Sequence, residues 1–542
     1  MPTSRLVPGR YPAAGTSTIA DKIRERRGAR GLTPLDGTLL HVPPVAEGWN
    51  SLLGAVRTKG RLNADVRELM ILRVAAINNA AFEWIHHEHV ARDAGLTTEQ
   101  LYLIRDTSSL PPSGNGLLSP LQTAALAFAH HSTSTVKVPP EVTLTLAEAL
   151  RSSISSEAND AESLTQDLLV ESAAIVASYN MVSRFLVSLD VAAMADCPPP
   201  WPATKSTFKV PLPVDPANGV LEEGHFLYAE THVTDPDAPW IVCANSLLTD
   251  VGMWEWALTQ MLAPRPHGSK EYKTYNVLLH DQRGHGQSSV PSSSNKNGFK
   301  CTIPILASDI AFLISTLILP SSSSVRSTID SEPRVHSVIG VSQGGAAALA
   351  FAAMYPSLSK SVVSCDTGPR TPEGNKVAWN ERIELVKSNG GGQAGMSKLA
   401  DITVPRWFPA PSKCSTEISI NGRRPRSEVL HTQITSTTLD GFVLGASALQ
   451  DYNLLTGTGM NRSLLDATNS SEPKVLLVAG GLDGGGKVPS GMGKLRDAWN
   501  EKRISDGGDP IKLEVIEGAG HLPMVDETEK WWGVVGAWLA EI

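Results

Sequence analysis

The spacing of apolar residues changes once along this 542-residue chain, and that change constrains the fold more than any single motif. Over residues 35–195, stretches such as "ADVRELMILRVAAINNAAFEWIHHEHVARDAG" and "LTQDLLVESAAIVASYNMVSRFLVSLDVAAM" place apolar residues three and four apart, which predicts an all-α domain. Over residues 220–542, short β-branched runs alternate with helical stretches. "PWIVCAN", "YNVLLHD", "VHSVIGV", "KSVVSCD", "KVLLVAGG" and "IKLEVIEGAG" read as the strands of βα units in a mostly parallel sheet. The intervening residues 196–219, "DCPPPWPATKSTFKVPLPVDPANG", are rich in proline and read as a semi-rigid linker. Residues 1–34 read as a polar, loosely ordered arm, and the Ser-rich runs at 291–296 and 320–328 as surface insertions.

The size and the 41% hydrophobic content suffice for two or three separate cores. A net charge of −8 gives no basic signature of nucleic-acid binding, so the expected partner is a small molecule. Cys197, Cys243, Cys301, Cys365 and Cys414 are odd in number and lack CxxC spacing, which argues against a disulfide framework or a zinc site. No signal-peptide core and no apolar run of about 18 residues is present, so a soluble cytoplasmic protein without a membrane partner is expected.

In "HSVIGVSQGGAAALAFAAMYP" a buried-strand pattern runs through Ser342 into an alanine-rich helix pattern. A serine there either caps the helix or is a nucleophile on a sharp strand-to-helix bend, with Gly340 and Gly344 relieving the crowding. A serine hydroxyl needs an imidazole base oriented by a carboxylate. "VLLVAGGLDGGGK" puts Asp483 just past a strand and "LEVIEGAGHLP" puts His521 just past the next, in the order Ser, Asp, His of α/β-hydrolases. "WIVCANSLLTDVGMW" places a polar turn after another strand, where the Leu247 N–H is a candidate to join that of Gln343 in an oxyanion hole; an ordinary Asn-Ser turn is the competing reading. Asp281, Arg283, Gly284, His285 and Gly286 in "LLHDQRGHGQS" are expected to brace neighbouring loops rather than perform chemistry.

With "NSLLTDVGMW", "DQRGHGQSS", "GVSQGG", "DTGPRTP", "AWNERI", "PRWF", "AGGLD" and "GAGHLP", the second half resembles the 3-oxoadipate enol-lactonases, a branch of the α/β-hydrolases with a helical cap. Gln343 stands where many relatives have Met. A carboxylated lactone needs cationic anchors, for which Arg382 and Arg406 are candidates, with Trp254 and Trp407 as pocket walls; surface ion pairing is the alternative for each arginine.

"VRELMILRVAAINNAAFEWIHHEHVARDAGL" and "ESAAIVASYNMVSRFL" make the first half, over roughly 45–195, similar to the carboxymuconolactone decarboxylase family, related to alkylhydroperoxidase D. The CxxC of peroxidase relatives falls here on Ala80 and Glu83, which excludes thiol redox chemistry, while His87 and Glu68 remain. Glu83 and His87 lie four residues apart on one helix face and are sterically able to pair; with Glu68 they form a candidate proton-transfer group. A cluster of His86, His87 and His89 at the surface is the competing reading, and no metal or other cofactor is expected because neither HExxH nor a di-metal carboxylate set is evident. Tyr179, Asn180 and Arg184 in "YNMVSR" are candidates for packing or an anion contact.

The two resemblances imply one pathway: conversion of a carboxymuconolactone to 3-oxoadipate in protocatechuate catabolism, with the 3-carboxy isomer favoured through a fungal route that uses one bifunctional hydrolase/decarboxylase. The alternative is an ester or lactone hydrolase of natural-product tailoring, with the helical half as an oligomerisation or binding module. Association into a homo-oligomer through the helical domain is expected in either case.

Overall fold

A computed structural model of the chain describes residues 7–28, 31–108, 110, 116–154, 160–215, 217, 220, 223–263, 274–290, 300–319, 334–417, 424–468 and 472–542. The Ser-rich runs at 291–296 and 320–328 lie outside the described residues. The chain divides into two compact units, one up to Pro202 and one from Ala203 onward.

The first unit is helical: α1 (Thr18–Arg27), α2 (Pro34–Leu39), α3 (Pro43–Thr58), α4 (Ala64–Ile77), α5 (Ala81–Asp93), α6 (Thr98–Arg105), α7 (Pro120–Thr135), α8 (Pro140–Ser153) and α9 (Ala161–Ser188). The α4 sequence carries apolar residues on every side, and a helix of that kind must be surrounded. It is buried from Glu68 through Ala76 and packs against α5, α7 and α9. Its two polar intruders are consequently satisfied inside the core: Arg73 donates to the Ile104 carbonyl at 3.0 Å, and Glu68 faces α5. Of the arm expected over residues 1–34, the described residues 7–28 and 31–34 are a folded part of this unit. Ser17 accepts a hydrogen bond from the Ala20 N–H, Ala20 and Ile23 are buried in the core, and Arg27 pairs with Asp36. Polar composition concealed a short capped helix with one apolar edge.

The second unit is built on an eight-stranded sheet in the order β1-β2-β4-β3-β5-β6-β7-β8. Its strands are β1 (Thr204–Pro211), β2 (Phe226–Val233), β3 (Trp240–Ala244), β4 (Asn276–His280), β5 (Val335–Val341), β6 (Ser359–Cys365), β7 (Lys474–Gly480) and β8 (Lys512–Ile516). The six runs read from the sequence are β3 to β8, all mutually parallel, whereas β1 and β2 run antiparallel at one edge. The linker expected over 196–219 is therefore shorter, because residues 204–211 pair with β2 along their whole length. A proline at the end of an edge strand costs no ladder bond, so the Pro-rich flanks hid a strand.

Helices α10 (Glu255–Met261), α11 (Ile303–Leu313), α12 (Gln343–Met354), α18 (Lys487–Ser505) and α20 (Thr528–Ala540) accompany the sheet, with the single turn α19 (Pro523–Asp526) before the last. Between β6 and β7 the chain inserts α13 (Asn375–Ser388), α14 (Gln393–Trp407), α15 (Lys413–Thr416), α16 (Arg426–Ser436) and α17 (Leu439–Gln450), the helical cap expected of the second half. The α/β architecture thus follows the sequence reading.

Candidate active site

Ser342 sits between β5 and α12 with φ 56° and ψ −117°, a left-handed conformation that a non-glycine residue holds only when its surroundings enforce it. The enforcement is visible on both sides. A Cβ on Gly340 would lie 2.0 Å from the Gly344 carbonyl oxygen, and one on Gly344 2.2 Å from that of Ala244. Only glycine permits this approach of strand, bend and helix. The Ser342 N–H is held by the Cys365 carbonyl at 2.8 Å. Gln343, the first residue of α12, carries one of the backbone N–H groups that a helix leaves unused at its start.

The turn after β3 is sewn to this bend. Gly344 donates to the Asn245 carbonyl at 3.0 Å, and the Asn245 side chain donates to the His280 carbonyl at 2.9 Å. Leu247 is buried in that turn, and Leu248 has φ 71°. Trp254 corrects an expectation here. It is fully buried, donates from Nε1 to Asn245 Oδ1 at 2.8 Å and packs beside Trp531. It is not a wall of the cavity; its indole N–H finds its partner behind the turn and pins Asn245.

Ser342, Asp483 and His521 line one cavity of about 450 Å³. His521 Nδ1 donates to Asp483 Oδ2 at 2.8 Å, which leaves Nε2 as the basic nitrogen, and the His521 N–H is fixed by the Trp407 carbonyl at 2.8 Å. Burial pushes the Asp483 carboxyl up, but His521, Asp366 and Arg406 together outweigh it and hold the group below its usual value, so it remains a carboxylate. Trp407 lines the cavity and stacks over His521 with its ring centroid 6.1 Å away.

Sequence reasoning missed Asp366. It follows β6 with φ 50°, is buried, and accepts the Gly480 N–H through Oδ1 at 2.8 Å. Its other oxygen has no donor among the described residues. Burial, then the neighbouring Asp483 charge, push its carboxyl well above the usual range, which favours the protonated form. Polar atoms of Asp366, Asp483 and His521 lie within 4.8 Å of one another. The signal was present in "SCDTG", an aspartate directly after a strand, but nothing local pairs it with a residue 117 positions away.

Arg382 and Arg406 also line this cavity and form no ion pair among the described residues; Arg382 lies over the Trp379 ring at 4.6 Å. Lys487, at the start of α18, adds a third cation that sequence reasoning missed. The Gln343 side chain is turned to the cap, donating to the Gly445 carbonyl at 2.6 Å. The bracing role expected for "DQRGHG" is what the bonds describe: Asp281 accepts the Val251 and Gln287 N–H groups at 2.8 Å each, and Arg283 forms a two-pronged pair with Asp309 at 2.6 Å.

The helical unit has its own cavity, of about 350 Å³, lined by Glu68, Glu83 and His87. His87 Nδ1 donates to Glu68 Oε2 at 2.7 Å. The pairing of His87 with Glu83, expected from their spacing, is not formed. Glu83 turns to α9 and accepts the Ser183 hydroxyl at 2.9 Å, because residues four apart share a face but a third helix decides which partner each meets. Burial pushes the Glu68 carboxyl up, but His87 and Arg67 outweigh it and keep it ionised, while burial lowers His87 and favours the neutral imidazole. His87 is buried, against the reading of a surface cluster, while His86 stacks on Phe82. Tyr179 bridges the site from behind, with its hydroxyl 3.2 Å from His87 Nε2 and accepting from Arg57 Nε at 2.7 Å. Asn180 is spent on packing bonds to Asn78 and Thr133, and Arg184 is exposed.

Residues 239–528 match the alpha/beta hydrolase fold family, more than half of the chain. The chain belongs to that family. Residues 43–114 match the carboxymuconolactone decarboxylase family, so a decarboxylase-family domain precedes the hydrolase. The hydrolase half is similar to two Acinetobacter baylyi proteins. One is 3-oxoadipate enol-lactonase 2, 25% identical over 172 residues that make up 32% of this chain and 51% of that protein. The other is 3-oxoadipate enol-lactonase 1, 28% identical over 174 residues, 32% of this chain and 50% of that protein. The chain thus spans about half the length of the curated relatives it matches. Similar solved structures include a hydrolase from Pseudomonas aeruginosa and the enol-lactonase from Burkholderia xenovorans. Each is 23% identical with a TM-score of 0.42 over 58% of this chain, covering 95% and 97% of those chains. No helix among the described residues is long and apolar enough to cross a membrane.

Proposed function

We propose that this chain is a bifunctional carboxymuconolactone hydrolase/decarboxylase that forms 3-oxoadipate, with the 3-carboxy lactone as the favoured substrate. The observation that carries the reading is the hydrolase cavity, where Ser342, His521 and Asp483 meet two arginines without carboxylate partners among the described residues. An apolar ester would leave those guanidinium groups unmatched, whereas a carboxylated lactone pairs with them. Similarity to enol-lactonases and the decarboxylase-family domain ahead of the hydrolase support the same direction.

The chemistry divides between the cavities. In the helical one, the Glu68–His87 pair takes the γ-proton of the lactone, and the double bond shifts to give the enol-lactone. In the hydrolase cavity, Ser342 Oγ attacks the lactone carbonyl while His521 Nε2 accepts its proton, and Asp483 stabilises the imidazolium. The Leu247 and Gln343 N–H groups receive the oxyanion. Ring opening breaks the acyl C–O bond, the enolate leaving oxygen takes the proton from His521, and the enol becomes a ketone. Water then releases the acyl group from Ser342 by the same base. The product of a 3-carboxy lactone is a β-keto acid, which loses CO2 to give 3-oxoadipate; a 4-carboxy lactone loses CO2 before hydrolysis.

Incubating the full chain separately with the two carboxymuconolactone isomers, and measuring 3-oxoadipate and CO2, tests this. One equivalent of each product from the 3-carboxy isomer is expected. No 3-oxoadipate from either isomer rules the reading out.

A further inference from the structure

Of the arginines lining the helical cavity, Arg27 is paired with Asp36, Arg67 with Glu68, and Arg26 with the Asn50 side chain. Arg57 differs. It is half-buried on α3, its Nε–H is given to the neutral Tyr179 hydroxyl, and it forms no ion pair among the described residues. Beside the same cavity, Glu83 is buried with one oxygen accepting from Ser183 and the other, Oε1, without a partner among the described residues. Buried polar atoms without partners are rare in folded proteins and mark places where something is missing. Burial pushes the Glu83 carboxyl well above its usual range, which favours the protonated form that can itself donate a hydrogen bond.

The geometry points to the helical cavity as a carboxylate-binding site, in which Arg57 holds the carboxylate of a small organic acid and Glu83 closes the second contact. Tyr179 is the positioning residue. It is fully buried behind the cavity wall, and one hydroxyl fixes both Arg57 and His87, so the anchored anion and the His87–Glu68 pair stand in a fixed relation. The cavity volume of about 350 Å³ suits an acid of about ten to fifteen non-hydrogen atoms. This inference rests on the reading that the helical cavity is a reaction site, and it extends that reading to a residue on α3.

Calorimetric titration of the full chain with adipate tests it, in an Arg382→Gln/Arg406→Gln/Lys487→Gln background so that the hydrolase cavity does not contribute. Saturable binding is expected, weakened at least tenfold by Arg57→Gln and substantially retained by Arg57→Lys, with dimethyl adipate not binding. Arg57→Lys also answers a folding defect, because it keeps the cation on the same helix. Binding by Arg57→Gln within twofold of the parent, equal binding of the diester, or no saturable adipate binding overturns the inference. The two readings fail separately. If Glu68→Gln retains full flux while Arg57→Gln loses adipate, proton transfer at this cavity is wrong and the anchor stands. If Glu68→Gln blocks flux while Arg57→Gln binds adipate normally, the anchor is wrong and proton transfer stands.

Discussion

Replacing Asp366 separates a protonated support of the triad from an ordinary turn aspartate. In Asp366→Ala the Gly480 N–H loses its acceptor inside a buried site. A buried group left unpartnered costs about 1–3 kcal/mol. Expressed in the transition state, where Asp483 must keep His521 oriented, that becomes a loss of roughly 10- to 100-fold in kcat/KM at about 1.4 kcal/mol per decade. Asp366→Asn keeps an oxygen for Gly480 and, like the protonated carboxyl, carries no charge beside Asp483, and should stay within about threefold of the parent. The two variants also differ in stability against pH. The folded-state pKa of Asp366 is raised, so an unfolded chain above about pH 4 gives up a proton that the folded chain keeps. This group's contribution is fully present below that pH and is lost as pH rises toward the folded value. Asparagine does not titrate, so the melting temperature of Asp366→Asn relative to wild type should rise from pH 5 to pH 8. The assay is hydrolysis of preformed 3-oxoadipate enol-lactone, with thermal melts at both pH values. Equal loss of activity in the two variants, or a relative melting temperature that falls with pH, refutes a protonated Asp366 supporting the triad.

Ser342→Ala should lower enol-lactone hydrolysis by about 10⁴-fold or more while the circular dichroism spectrum and melt are preserved, since only the nucleophile is removed; substantial turnover would contradict its role. Arg283→Met strands the buried Asp309 carboxylate and should cost about 3–5 kcal/mol in a denaturant titration, with Arg283→Met/Asp309→Leu recovering much of it; an unshifted midpoint in the single variant would show that the brace contributes nothing. A chelator should leave turnover unchanged, because Asp483 and His521 already use their facing atoms on each other; inhibition reversed by a divalent cation would overturn that.

The residues that could be read from the sequence were those whose role is written locally. A serine between a β-branched run and an alanine-rich run, with glycine two residues to either side, dictates the bend at Ser342. Asp483 and His521 were legible because each follows a strand pattern within a few residues. What stayed hidden depends on partners far along the chain. Trp254 looked like a pocket wall until Asn245 claimed its indole N–H, and Glu83 looked like the partner of His87 until α9 brought Ser183 to it. Edge strand β1 was concealed by its proline-rich flanks, and helix α1 by its polar composition. Arg57 and Tyr179 lie 122 residues apart, so no spacing rule could have joined them.

The division of labour is the central claim, and cross-complementation tests it most directly. Full chains carrying Ser342→Ala or Glu68→Gln are incubated with 3-carboxymuconolactone, singly and mixed, and 3-oxoadipate is followed over time. Neither variant alone should form it; Glu68→Gln should still hydrolyse preformed enol-lactone, and the mixture should restore product through the diffusible enol-lactone. Normal flux to 3-oxoadipate by Glu68→Gln alone would contradict the account, since the hydrolase unit would then perform every step.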